Sequence, residues 1–212
     1  MNTEVTVHPK LQHYGLATAH LDAMIEWYQK VLGMTVNRRV TPSAGAQDGA
    51  PFSAFAFVSN DEVDHRLVLF EIPGLVADPD KRRHAGLQHV AFEYSTLDDL
   101  LGTYVRLKGL GVLPRWAADH GLGTSFYYED PDGNVVEINV NNYGNAWTAT
   151  EHLRTGPHIL APVDPEKMLA ARQAGASPWE LHERAVAGEF APAKSFDART
   201  RFGAGPQPKK VA

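Results

Sequence analysis

Two histidines of this 212-residue chain close identical tripeptides, Leu11-Gln12-His13 and Leu87-Gln88-His89, and each tripeptide opens a strand-like run followed by an amphipathic helix pattern. The same offset superposes Leu21 on Leu97, Asp22 on Asp98, Tyr28 on Tyr104 and Gly33 on Gly109. Self-similarity at a fixed period marks an internal duplication. If the copies pack about a pseudo-two-fold axis, His13 and His89 reach equivalent places. Downstream, Glu137 stands between Val136 and Ile138, and an acid in an interior strand is costly unless it is paired or ligates a cation. Two imidazoles and one carboxylate with open positions suit non-heme Fe(II), leaving room for a substrate and oxygen. The plainer reading is two hydrogen-bonded core histidines and an edge-strand glutamate. The joint occurrence at duplicated positions favours the metal.

The elements that must position these groups follow from periodicity. In the first copy, His13 to Ala17 reads as a strand. A helix then starts at His20 or Asp22, with Leu21, Met24, Ile25, Tyr28 and Leu32 on one face and Gly33 as its stop. Met34 to Val40, Phe52 to Val58 and Arg66 to Ile72 read as strands, the first two separated by a turn-rich stretch from Thr41 to Pro51. The second copy repeats the plan with Gln88 to Glu93, a helix of about Leu97 to Lys108, then Val112 to Trp116, Thr124 to Glu129 and Val135 to Val140. Asp130-Pro131-Asp132-Gly133-Asn134 supplies hairpin chemistry between the last two strands. Strand alternation puts His89, Ala91 and Glu93 on one face, and Val135, Glu137 and Asn139 on another. The expectation is an α+β fold of two paired βαβββ modules, about 11–73 and 87–141, within a domain of 11–145. Residues 146–212 form a C-terminal extension, in which Asp164-Pro165-Glu166 and Ser177-Pro178-Trp179-Glu180 predict two short helices. Beyond Phe190 a Pro, Gly, Ala and Lys-rich run predicts a mobile tail. The extension could cap the pocket or swap onto a neighbouring subunit, and its His152, His158 and His182 are read as structurally bland.

Composition excludes several classes. A hydrophobic content of 43% with 21% charged residues is that of an ordinary globular chain. A net charge of −5 argues against a nucleic-acid surface, which would need clustered Lys and Arg. With no cysteine, thiolate catalysis, disulfides and zinc–sulfur sites are excluded. Met1 to Lys10 lacks the apolar core of a signal peptide, and no stretch approaches a membrane span, so a cytoplasmic protein is expected.

The paired units, the two Leu-Gln-His strand starts and the run Ser125-Phe126-Tyr127-Tyr128-Glu129-Asp130-Pro131-Asp132-Gly133-Asn134-Val135-Val136-Glu137 resemble the vicinal oxygen chelate superfamily. Within it, the run from Asp119-His120-Gly121 through Tyr127 to Glu137 is similar to the C-terminal signature of type I extradiol ring-cleaving dioxygenases, here in a single-domain form. The resemblance covers about residues 11 to 145. It implies an open half-barrel that binds metal through His13, His89 and Glu137, with Fe(II) as cofactor and Mn(II) as the alternative. It implies His65 as the acid–base histidine, His120 and Tyr127 as residues that hydrogen-bond the substrate, and a small aromatic diol and O2 as partners. A homo-oligomer is expected. The rival within the superfamily is a glyoxalase-like isomerase or epimerase with Glu71 as a fourth metal ligand. The rival from another class is a metal-free ligand-binding protein on the same scaffold.

Overall fold

The computed structural model describes residues 8–41 and 51–194. The sequence features placed at 42–50, the first seven residues and the tail past Lys194 lie outside the described residues. The chain divides into two units between Ala77 and Asp78.

The first unit carries one complete βαβββ module. Strand β1 (Tyr14–Thr18) leads into helix α1 (Leu21–Leu32), followed by β2 (Thr35–Val40), β3 (Ala54–Ser59) and β4 (Leu67–Glu71). The sheet order is β1-β4-β3-β2, with β1 and β4 parallel and the remaining pairs antiparallel. Leu21, Met24, Tyr28 and Val31 of α1 are buried, and so are Ala56, Val58, Leu67 and Leu69 on the sheet face beneath it. Gly33 ends α1 at φ 66°, its N–H donating to the Gln29 carbonyl. That left-handed conformation is the one for which a helix stop favours glycine.

The second unit repeats the plan and extends it. Strand β5 (Val90–Tyr94) precedes helix α2 (Leu97–Gly109), then β6 (Trp116–Asp119), β7 (Gly123–Glu129) and β8 (Val135–Asn141). Thr96 caps α2 by accepting from the Asp99 N–H. Sheet order is β5-β8-β7-β6, with the two-residue β9 (Ala161–Pro162) beyond β6, so β8 is interior, parallel to β5 and antiparallel to β7. Phe126, Tyr128, Val136 and Ile138 are buried together with Leu100, Leu101 and Leu107 of α2, each large apolar side chain contributing about 1.5–3 kcal/mol. The hairpin from Asp130 to Asn134 closes as its residues dictate. Asp130 Oδ1 accepts from the Asp132 and Asn134 amides at 3.0 and 2.8 Å, and Gly133 takes φ 75°.

Two expectations are corrected. The strand placed at Val112 to Trp116 begins only at Trp116, because the Val112 N–H is spent closing α2 on the Leu107 carbonyl, and Pro114 has no N–H to offer a ladder. The extension holds three helices, not two: α3 (Ala146–Thr155), α4 (Pro165–Gln173) and α5 (Pro178–Val186), with the two-residue β9 (Ala161–Pro162) joining the sheet at β6. Helix α3 has Asn145 as N-cap but buries only Ala149, so no apolar stripe announces it. The two expected helices start where their caps predict. Asp164 accepts from the Glu166 N–H, and Ser177 with Glu180 forms a reciprocal capping box. Arg172 joins Asp98 through two charge-assisted bonds of 2.7 and 2.8 Å, and Lys108 pairs with Glu166 at 2.6 Å, so α4 is docked on α2. Among the described residues, no helix is long and apolar enough to cross a membrane.

Candidate active site

In the second unit, strand alternation brings His89, Glu137, Ser125 and Tyr127 to one face of the sheet. With His120 they line a cavity of about 420 Å³, a size ordinary for small-molecule sites. Glu137 lies on the interior strand and is 8% exposed, not an edge residue. Its Oε1 accepts from Ser125 Oγ at 2.6 Å and from Asn139 Nδ2 at 3.2 Å, and its Oε2 lies 3.0 Å from His89 Nε2. Burial alone would raise the Glu137 pKa, but hydrogen bonds from His89 and Ser125 hold it below the ordinary value.

The ring of His89 is held from behind. Its Nδ1 contacts Gln88 Oε1, so Nδ1–H donates to that amide oxygen and Nε2 is left facing the carboxylate. Two lone pairs 3.0 Å apart require a proton or a cation between them. This pair fits a metal by its chemistry, and an acceptor behind each imidazole is the usual support of a metal-bound histidine. The duplicated tripeptide thus has a physical meaning that sequence reasoning missed. His13 Nδ1 contacts Gln12 Oε1 in the same way.

His120 Nε2 is 3.0 Å from the Tyr127 hydroxyl, and Tyr127 stacks on Trp116 with ring centroids 4.2 Å apart and planes 8° from parallel. Burial lowers the His120 pKa, and Glu137 and Asp119 oppose that shift without cancelling it. The neutral ring is therefore favoured, with one nitrogen able to donate and the other to accept.

In the first unit, His13 and His65 lie ring against ring at 4.3 Å, and Phe57 meets His65 edge-on at 4.7 Å. Asp64 Oδ2 accepts from His65 Nδ1 at 2.5 Å, and Asp64 Oδ1 accepts from Gln12 Nε2 at 2.9 Å. The hydrogen bond from His65 pulls the Asp64 pKa below the usual carboxylate value. Asp64 fixes the tautomer of His65 by taking up Nδ1–H, which leaves Nε2 with its lone pair. Sequence reasoning gave Asp64 no role, although it stands beside His65 in the motif.

Glu71 is placed differently. It continues the row of Leu67 and Leu69, which faces α1, and bonds Ser53 Oγ at 2.8 Å. Counting alternate positions back along the strand from Glu71 reaches His65, but His65 precedes the strand and its ring turns to Phe57 and His13 on the other face. In register terms, Ala91 pairs with Glu137 in the second module and the equivalent Gly15 pairs with Val68 in the first. Where one copy carries the carboxylate, the other carries valine, so the fourth ligand of an isomerase-like site has no donor at the equivalent position.

The structure thus brings His89 to Glu137 and His120 to Tyr127 in one unit, and His13 to His65 in the other. Among the described residues, no three His, Asp or Glu side chains converge as a ready-made metal cluster. Of the histidines read as bland, His152 and His158 line the cavity. His152 sits against Gly121, whose φ is 85°, and a Cβ on that glycine would intrude on the imidazole. Gly121→Ala is expected to cost about 1–3 kcal/mol in chemical denaturation, since it strains the backbone as well as the contact.

The chain belongs to the Glyoxalase/Bleomycin resistance protein/Dioxygenase superfamily, whose family model matches residues 10–138. A domain of that description from Frankia sp. EAN1pec shares the fold, with a TM-score of 0.55 at 21% identity over 66% of this chain and 96% of that one. Among curated relatives, Biphenyl-2,3-diol 1,2-dioxygenase 3 of Rhodococcus globerulus is 36% identical over 187 residues, covering 86% of this chain and 92% of the relative. Biphenyl-2,3-diol 1,2-dioxygenase 2 of the same organism is 34% identical over 175 residues, or 81% and 85% respectively.

Proposed function

We infer that this protein is an extradiol ring-cleaving dioxygenase that opens a catechol-type aromatic diol beside its hydroxyl pair, with O2 as co-substrate. The observation that carries this reading is the 36% identity to a biphenyl-2,3-diol 1,2-dioxygenase across 92% of that enzyme. His13, His89 and Glu137 would hold the metal, Fe(II) by its two-histidine, one-carboxylate preference, with Mn(II) the alternative. Bound there, the metal supplies open positions and the electron relay that lets a closed-shell diol react with O2.

The protein groups do the rest. Gln12 and Gln88 fix the two imidazoles, and Ser125 aims the Glu137 carboxylate. His65 Nε2 takes a proton from a substrate hydroxyl as the diol binds and returns it as the ring opens, while Asp64 steadies the cationic ring. His120 and Tyr127 hydrogen-bond a substrate oxygen, and Trp116 keeps the phenol of Tyr127 flat against one wall. A homo-oligomer remains the expected state of assembly.

The test is anaerobic loading with Fe(II), metal analysis, and then oxygen uptake with a panel of catechols that includes biphenyl-2,3-diol. Iron-dependent uptake with a new visible absorbance is expected. A protein that binds Ni, Co or Zn and leaves every catechol untouched would return the reading to the isomerase class.

A further inference from the structure

On the side of the second sheet away from the cavity, a carboxylate is buried with nothing in the mechanism to employ it. Asp119 ends β6 and is 0% exposed. Its Oδ1 accepts from the Gly121 N–H at 2.7 Å. Its Oδ2 accepts from Asn142 Nδ2 and from His182 Nδ1, both at 2.9 Å. Thr124 Oγ1 lies 3.1 Å from the same oxygen and 2.9 Å from Asn142 Oδ1, its single proton serving one at a time. Asn142 Nδ2 also reaches the Gly121 carbonyl at 3.1 Å. Both backbone polar groups of Gly121 are thereby tied to this cluster.

The turn so held is the one that carries His120. The His120 N–H donates to the Gly123 carbonyl at 2.8 Å, leaving Gly121 and Leu122 as a two-residue loop with positive φ at its first position, the position where a twist-compatible hairpin takes glycine. His120 has few ways to point once that loop is fixed. His182 is the one member of the cluster that comes from the C-terminal extension. It lies on α5, 63 positions away along the chain, and is 8% exposed. A buried carboxylate is costly unless its oxygens are hydrogen-bonded, and one of the donors to Asp119 comes from α5.

We propose that Asp119 and His182 are a positioning pair that holds the His120–Gly121 turn, and with it the His120 ring against Tyr127, which makes α5 part of the working site. Neither residue reaches the cavity, and both act through the backbone of Gly121. The proposal rests on the ring-cleaving reading only for the role of His120. The pair itself is a statement about geometry.

Two variants separate the donor from the bulk. His182→Leu keeps much of the bulk and removes the N–H donor, whereas His182→Asn sets an amide N–H near the place of Nδ1. In His182→Leu the Gly121 amide is expected to exchange its proton about tenfold faster or more, while Phe126 and Ile138 amides in the strands keep their protection. With the iron-loaded protein, kcat is expected to fall by about ten- to a hundredfold, the usual range for lost support behind a working group, with KM moved far less. His182→Asn should recover most of both effects. Should His182→Leu not fold, Asp119→Asn gives the same readouts from the acceptor side. Unchanged Gly121 exchange in a folded variant, or faster exchange with kcat intact, would overturn the proposal. If even the unaltered protein consumes no oxygen with any diol, the functional reading falls, and the exchange data alone decide the pair.

Discussion

Glu137→Gln is expected to bind its metal at least about a thousandfold more weakly than the unaltered protein, because even two unit charges about 4 Å apart in a medium of effective dielectric about 20 attract by about 4 kcal/mol, and a divalent cation in contact attracts more, while each 1.4 kcal/mol is about a factor of ten. The substitution is mild in shape. Its amide oxygen still accepts from Ser125 Oγ, and the interior of β8 stays filled. What changes is charge, together with one lone pair turned toward His89 Nε2. Dialysis followed by metal analysis reads the loss directly, and oxygen uptake falls with it. His89→Ala and His13→Ala should behave alike. Retention of metal by His13→Ala would remove that residue from the donor set and leave a site built from the second module alone.

His65→Gln is expected to separate binding from turnover. Metal content should stay at the level of the unaltered protein, since His65 is no donor in the set, while kcat drops by about 10² to 10⁴, the range that a positioned acid–base group contributes. Glutamine fills similar space between His13 and Phe57, and its amide can still donate to Asp64. It cannot carry a proton away from a substrate hydroxyl. Steady-state kinetics beside metal analysis checks this, and near-normal kcat would take His65 out of the mechanism. Asp64→Asn should give a weaker form of the same defect, because it leaves the imidazole in place and loosens its orientation.

The duplicated strands and helices were legible in the sequence because apolar spacing and turn chemistry agree there. Leu21, Met24 and Tyr28 form one stripe, Leu97, Leu101 and Tyr104 another, and the hairpin at Asp130 to Asn134 closes as its residues dictate. Repetition singled out His13 and His89, and an acid between apolar neighbours singled out Glu137; of these the structure brings His89 and Glu137 together. The rest lay beyond local reading. Helix α3 has no buried stripe, and β9 is too short to show a period. The contact of Asp119 with His182 spans 63 positions, a distance at which no pattern of neighbours carries a signal. Glu71 stays a rival ligand in the sequence because it shares parity with His65, and only the fold shows that His65 stands before the strand begins. The roles of Gln12 and Gln88 were in view within the repeated tripeptide, yet they depend on which imidazole nitrogen each amide meets.

The pairing of Gly15 with Val68, against Ala91 with Glu137, has an electrostatic corollary. Two neutral imidazoles and one carboxylate carry a single negative charge, so a divalent cation held by that set keeps one unit of positive charge uncompensated. Such a centre favours an anionic guest and is complementary to a diol that has given up one proton. A second carboxylate at the valine position would cancel the surplus and suit an uncharged carbonyl compound instead. A methyl-bearing side chain in place of a carboxylate would in this way select the guest's ionisation state.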